Sequence, residues 1–268
     1  MKKPAPSFRF SAHIGFLFGE LPFAERFAAA SNVGFTAVEH PSPFHIPVEQ
    51  VADLLEDNDL EFVQTGFPAG DPARGEKGFA ALRDRRADFR DAIAPTLDYA
   101  SRIGCHMLHA MAGIVPAGAP RQAMWDEYLE NLGFAADAAR AYDIDIIIEP
   151  IGPGSITNYF IDQPQLALDA IKALARPNVR LLFDVFHAVS LGTEPLAFIA
   201  AHSRLIGHLQ IADFPGRHEP GSAVIDFAKV FAAVSQAGFA GHIGCEYHPS
   251  ERTIDSFGWM REWIGERQ

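Results

Sequence analysis

Strand-like and helix-like stretches alternate eight times along these 268 residues, and that alternation constrains the fold more than any other feature. Strand patterns fall near 8–14, 36–40, 61–66, 105–111, 144–149, 179–184, 205–211 and 242–247. Helical patterns fall near 22–32, 47–57, 84–103, 120–141, 163–175, 194–202, 226–237 and 253–264. Runs such as Asp145-Ile146-Ile147-Ile148 and Val179-Arg180-Leu181-Leu182-Phe183 are apolar almost throughout. Such strands are buried on both faces, as in a parallel sheet covered by helices. Eight β/α units with no break in composition predict one α/β domain over residues 1–268, a closed (β/α)₈ TIM barrel. No Gly-rich phosphate loop follows the first strand, which argues against a doubly wound sheet. Gly34, Gly104 and Gly238 stand between helix and strand, where a left-handed residue stops a helix.

Four strand patterns end by presenting an oxygen-bearing side chain: Glu149, Asp184, Gln210 and Glu246. A carboxylate at the end of a buried strand is costly unless it reaches a mouth or meets a cation. The C-terminal strand ends are also where such barrels hold their active sites. One such acid is explained by a cap or an arginine partner. Four on consecutive strands point to a single hard-cation site with three carboxylates and an amide oxygen. A set of oxygens alone suits Mg²⁺ or Mn²⁺ better than zinc. Glu149 and Glu246 further resemble a two-carboxylate pair for proton transfer.

Other candidates surround this set. His187, three residues beyond Asp184, leaves its strand end and should reach over the same mouth to donate to a substrate oxygen. His208 alternates with Gln210 and should point to the same side, one layer deeper, as a ligand or as a satisfied core histidine. Arg217 lies in the Pro-Gly loop after the seventh strand, where a guanidinium could grip a substrate carboxylate. Glu39 ends the second strand and either joins the site or bonds across the barrel. Residues 66–78, rich in Gly and Pro, form a long loop that could serve as a lid excluding water, or a plain solvated loop. Surface acids such as Glu56, Asp57 and Asp59 read as a solvated helix face.

Composition narrows the partners. A net charge of −12 opposes nucleic-acid binding, which needs a basic footprint. No apolar run is long enough to span a membrane. Met1–Pro6 carries two lysines without an apolar segment behind them, so a secretory leader is not expected. Two cysteines, Cys105 and Cys245, both placed inside predicted strands, exclude a disulfide framework and fit a reducing cytosol. The expected partners are therefore a small hydroxy- or oxo-acid or sugar and, at most, further copies of the chain in a homo-oligomer.

Several segments together resemble the hydroxypyruvate isomerase family of the xylose-isomerase-like barrel superfamily. They include Phe10-Ser11-Ala12, Phe18-Gly19-Glu20, Pro68-Ala69-Gly70-Asp71, Gly75-Glu76 and Ile148-Glu149-Pro150-Ile151. They continue with Asp184-Val185-Phe186-His187, Gly207-His208-Leu209-Gln210-Ile211-Ala212-Asp213, Arg217-His218-Glu219-Pro220-Gly221 and Ile243-Gly244-Cys245-Glu246-Tyr247. Their order and spacing run almost end to end. The stretch Met111–Gly118 looks more like the 2-oxo-tetronate isomerase branch. The resemblance implies that Glu149, Asp184, Gln210 and Glu246 hold a divalent metal, that Glu149 and Glu246 handle protons, and that His187 and Arg217 contact substrate oxygens. It differs at Gly152, where Asn is usual, at Ala223-Val224-Ile225-Asp226, where the family carries Gly-Glu-Ile-Asn, and at His248, where Lys is expected. These departures bear on the substrate.

The implied chemistry is an aldose–ketose-type isomerisation of a short hydroxyaldehyde acid and its 2-oxo isomer, with a cation stabilising the enediolate. C3-epimerisation of a free ketose is the alternative on the same metal site, and it would favour an imidazole where Gln210 stands. An endonuclease of this barrel class would need more histidines and a basic groove. A non-catalytic small-molecule-binding barrel is the remaining alternative, and the four strand-end oxygens argue against it.

Overall fold

Val, Ile, Leu and Phe dominate the short runs that become strands, and the longer runs with one apolar stripe become helices. The computed structural model describes residues 8–263. The segment Met1–Pro6 and residue 264 of the last predicted helix lie outside the described residues. In chain order the elements begin with β1 (Arg9–His13), α1 (Glu25–Val33), β2 (Ala37–Glu39), α2 (Val48–Asn58), β3 (Glu61–Phe62) and β4 (Thr65–Gly66). Then come α3 (Arg86–Arg102), β5 (Met107–His109), α4 (Arg121–Ala139), β6 (Asp145–Ile148) and α5 (Pro164–Leu174). The chain continues with β7 (Val179–Asp184), α6 (Val185–Ser190), α7 (Pro195–His202), β8 (Ile206–Ile211), α8 (Phe227–Gln236) and β9 (His242–Cys245).

The chain divides into two compact units. The first comprises described residues up to 39, then 54–61 and from 183 onward; the second comprises 40–53 and 62–182. In the first, β1 pairs in parallel with β2 and with β9, and β8 pairs in parallel with β9. In the second, β4, β5, β6 and β7 pair in parallel in that order. The strand interiors are dry: Ala12, Leu108, Ile146, Ile147, Leu209 and Ile243 are fully buried. An aromatic cluster of Phe10, Phe231 and Trp259 packs under β1 in the first unit, with Phe10 and Trp259 edge-to-face at 5.3 Å. In the second unit, Arg86 of α3 reaches Glu127 and Glu130 of α4, which ties those two helices together.

Three predicted elements differ. The single strand expected over 61–66 is two short strands, β3 and β4, with Val63 and Gln64 between them in neither; the described residues hold nine strands instead of eight. The final helix is a 3₁₀ segment, Thr253–Glu262, with Ser256 Oγ donating to the Thr253 carbonyl within it. A helix not foreseen, α6, starts directly at the end of β7, where Asp184 Oδ1 accepts the Phe186 N–H at 2.8 Å as a cap. Cys105 also lies two residues ahead of β5 rather than inside a strand, while Cys245 ends β9; both are buried and free. Gly34, Gly104 and Gly238 do take left-handed φ of 108°, 64° and 68°.

Candidate active site at the strand ends

In the first unit, β2, β7, β8 and β9 each end in or beside a polar residue: Glu39, Asp184, Gln210 and Glu246. Two layers separate among them.

The deeper layer is built on Glu39, which is fully buried. Its Oε2 accepts from Ser11 Oγ at 2.7 Å and pairs with His208 Nε2 at 2.8 Å. Its Oε1 accepts from Gln210 Nε2 at 2.7 Å. Burial by itself would raise this carboxyl, but the His208 charge and hydrogen bond, His13 and Gln210 outweigh it and hold it down to about 2. Of the two roles left open for Glu39, the structure shows hydrogen bonding to side chains of β1 and β8. His208 and Gln210 do point to the same side, since both reach one carboxylate. Gln210 Oε1, by contrast, is buried with no hydrogen-bond partner among the described residues.

The outer layer centres on Arg217. Its Nη2 lies 3.1 Å from Glu246 Oε1 and 3.3 Å from Asp184 Oδ2. The guanidinium sits over the Phe16 ring at 4.9 Å and the Phe186 ring at 5.1 Å, two cation–π contacts. With a side chain only 16% exposed, Arg217 is not a surface arginine. The backbone presents it in a left-handed conformation, φ 55°. Asp213 explains how: this fully buried carboxylate accepts N–H bonds from Phe214, Gly221, Ala223, Val224 and Ile225 at 2.8–3.1 Å. One acid thus gathers the whole loop, and the Arg217 N–H bonds the Asp213 carbonyl at 2.8 Å.

Glu246 is the most strongly perturbed carboxyl of the outer layer. Burial pushes its carboxyl up to about 8; Arg217 opposes this, while Asp184 and Glu39 add to it. His187 lies on α6, not on a loop, with Nε2 at 3.7 Å from Asp184 Oδ2. Burial lowers it to about 4, with Asp184 opposing and Arg217 assisting. His13, at the end of β1, places Nε2 at 3.8 Å from Glu246 Oε1 and is likewise lowered to about 4, chiefly by burial. No role was foreseen for His13 or Asp213, although His13 obeys the same strand-end rule that found the acids. His248, in the place of the expected Lys, packs its ring 4.5 Å from Phe16 and bonds the Arg217 carbonyl through its N–H at 2.8 Å.

In the second unit Glu149 directly follows β6 and is buried, with Oε2 at 3.8 Å from His109 Nδ1 at the end of β5. Tyr159, whose hydroxyl accepts the Ala112 N–H at 2.9 Å, is raised by burial and, in smaller part, by the Glu149 charge. The 66–78 segment is a tied loop. Asp71 caps a 3₁₀ turn at Pro72–Arg74, Glu76 Oε2 accepts the Asp71 N–H at 2.8 Å, and Arg85 holds Glu76 Oε1 at 2.6 Å.

A family model described as xylose isomerase-like TIM barrel matches residues 27–263, which run through both units. The chain belongs to that family. Among its relatives, the 2-oxo-tetronate isomerase of Pectobacterium atrosepticum is 36% identical, covering 96% of this chain and 98% of the relative. The hydroxypyruvate isomerase of Escherichia coli K12 is 34% identical over 94% of this chain and 98% of its own length. Among solved structures, one described as AP endonuclease, family 2, from Brucella melitensis superposes with a TM-score of 0.93 at 33% identity. It covers 96% of this chain and 99% of that one. A D-allulose 3-epimerase from Methylomonas sp. shares the fold, with a TM-score of 0.76 at 21% identity, covering 98% of this chain and 93% of its own. The expected fold class, a TIM barrel of the xylose-isomerase-like kind, is the fold of this xylose isomerase-like protein. No helix among the described residues is long and apolar enough to cross a membrane.

Proposed function

We propose that this protein interconverts a short hydroxyaldehyde acid and its 2-oxo isomer, of the hydroxypyruvate/tartronate semialdehyde or 2-oxo-tetronate type. It is an enzyme of the isomerase class, as its full-length relatives are by name. The observation that carries the reading is Glu246. Just beyond β9, its Oε1 lies 3.1 Å from the Arg217 guanidinium, so a carboxylate able to take a proton stands beside a cation able to grip an anionic substrate.

The oxygen set fits a divalent cation. Gln210 offers a buried amide oxygen with no partner among the described residues, and Asp184 and Glu246 already converge on a positive group, Arg217. We assign Asp184, Gln210 and Glu246 as ligands with Glu149 completing the set, for Mg²⁺ or Mn²⁺. Bound there, the cation would supply charge stabilisation to the enediolate as an α-proton leaves.

The chain's own residues do the rest. One of Glu149 and Glu246 removes the proton from the α-carbon, and the other returns one to the neighbouring carbon. Arg217, in cation–π contact with Phe16 and Phe186, grips the substrate carboxylate. His187, kept neutral by burial, donates an N–H to a substrate oxygen without adding charge. The test is a panel of hydroxypyruvate, tartronate semialdehyde, 2-oxo-tetronates and free ketoses, assayed with and without chelator. Turnover of an oxo acid that chelator abolishes and Mg²⁺ or Mn²⁺ restores is the expected result. Activity confined to free ketoses, or unchanged by chelator, would overturn the reading.

A further inference from the structure

Gln210 is an unusual choice where a cation must be held, because an amide carries both an acceptor and a donor on one freely flipping group. A flipped amide would turn its NH₂ toward the cation and repel it. Glu39 removes that ambiguity. Its Oε1 lies 2.7 Å from Gln210 Nε2. The opposite orientation would set two oxygens, one of them a carboxylate's, at that same distance. An ionised carboxylate only accepts, so only the amide's N–H₂ can face it.

The position of Glu39 is itself enforced. Ser11 and His208 both approach its Oε2, at 2.7 and 2.8 Å, leaving Oε1 to the amide. On the third side is Gly244 of β9. A Cβ there would stand 2.4 Å from Glu39 Oε1 and 2.7 Å from Oε2, so any other residue would evict the carboxylate. The space, the two donors and the charge are all built for an acid that touches no mouth and is fully buried.

We propose that Glu39 is a positioning residue that locks the Gln210 amide with its oxygen outward, converting an ambiguous side chain into a defined cation ligand. The carboxylate behind the amide also polarises it and makes that oxygen a better donor to a metal. This rests on the cation reading of the preceding subsection and extends it to a residue that touches neither metal nor substrate.

Mn²⁺ binding to the purified, metal-free protein, measured by calorimetry without substrate, provides the test. Glu39→Gln keeps the shape but removes the acceptor-only group, and should weaken Mn²⁺ about 10- to 100-fold, the range seen when such supporting partners are lost. The double variant Glu39→Gln/Gln210→Glu reverses the pair: the new amide donates to the new carboxylate, whose other oxygen faces the cation. It should recover Mn²⁺ affinity to within about threefold of the parent. A Glu39→Gln protein that binds Mn²⁺ like the parent, while Gln210→Ala weakens it, would overturn the positioning role and leave the cation site standing. If Gln210→Ala and Asp184→Asn also bind unchanged, the cation reading itself has failed. If Glu39→Gln does not fold, the unmodified protein decides by NMR. Slowly exchanging Gln210 side-chain N–H₂ protons whose signals shift on adding Mg²⁺ support the lock, and fast-exchanging or unmoved signals refute it.

Discussion

Glu39 and Glu246 are the same residue type, in one unit, at the end of β2 and just past β9, the two strands that flank β1, yet their protonation is driven in opposite directions. Glu39 is held down to about 2, and Glu246 is pushed up to about 8. Burial disfavours the charge in both. The difference lies in the partners. Glu39 receives three side-chain donors, one of them an imidazole that can share the charge. Glu246 has Arg217 at 3.1 Å, but Arg217 is shared with Asp184, and Asp184 and Glu39 both push the Glu246 proton on. A saturated carboxylate becomes a fixed charge that organises its neighbours. An unsaturated one keeps a mobile proton, which is what proton transfer requires.

The strongest way to break this contrast is to remove the mobile proton. Glu246→Gln and Glu149→Gln keep the shape and should each lower kcat about 10²- to 10⁴-fold on the true substrate. Steady-state kinetics that keep near-full turnover would strip that residue of its role. His187→Ala should cost less than either.

The opposite shifts also predict opposite limbs in a stability–pH profile of the metal-free protein. Glu39 is depressed, so its stabilisation is present above the ordinary carboxylate range and is lost as pH falls from about 4.5 toward 2. At about 1.4 kcal/mol per pH unit, that limb is on the order of 3 kcal/mol. Glu246 is raised, so its contribution is present below about 4.5 and is lost as pH rises through about 8. Denaturant titrations from pH 2 to 9 should show both limbs, and Glu246→Gln should flatten only the upper one. A variant profile that still falls between pH 5 and 8 would show that another group titrates there.

Arg217→Lys sharpens the comparison at the shared cation. Lysine keeps the charge but loses the planar, two-pronged grip and the stack on Phe16 and Phe186. KM for acidic substrates should rise by about tenfold, the 1.4 kcal/mol step of one good charged hydrogen bond. Neutral sugars, where accepted, should be little affected, and equal losses on both kinds would assign Arg217 to the enediolate.

The smallest effect is expected at Ser11. Ser11→Ala deletes one of three donors to Glu39 and should cost about 1 kcal/mol in chemical denaturation. It should also move the acid limb upward in pH. An unmoved limb would mean that His208 and Gln210 alone hold the Glu39 charge.

Sequence by itself determined the class of fold and singled out the residues proposed for the site. The alternation of apolar strands and amphipathic helices is a local periodic signal, and it placed β7, β8 and most helices within a few residues. Glu149, Asp184, Gln210 and Glu246 stand out as candidates because an acid or amide at the end of a buried strand is conspicuous against its apolar neighbours. His13 was available to the same rule and passed over. What no pattern carries is which polar group meets which. Residues 39 and 210 lie on β2 and β8, which are separated by β1 and β9, so the Glu39–Gln210 bond and the open amide oxygen it leaves are tertiary facts. The five backbone bonds of Asp213 likewise depend on a loop curling back on its own first residue. The opposite protonation of Glu39 and Glu246 was beyond reach for the same reason. Burial and charge act through space, and the distances that set them exist only once the chain has folded.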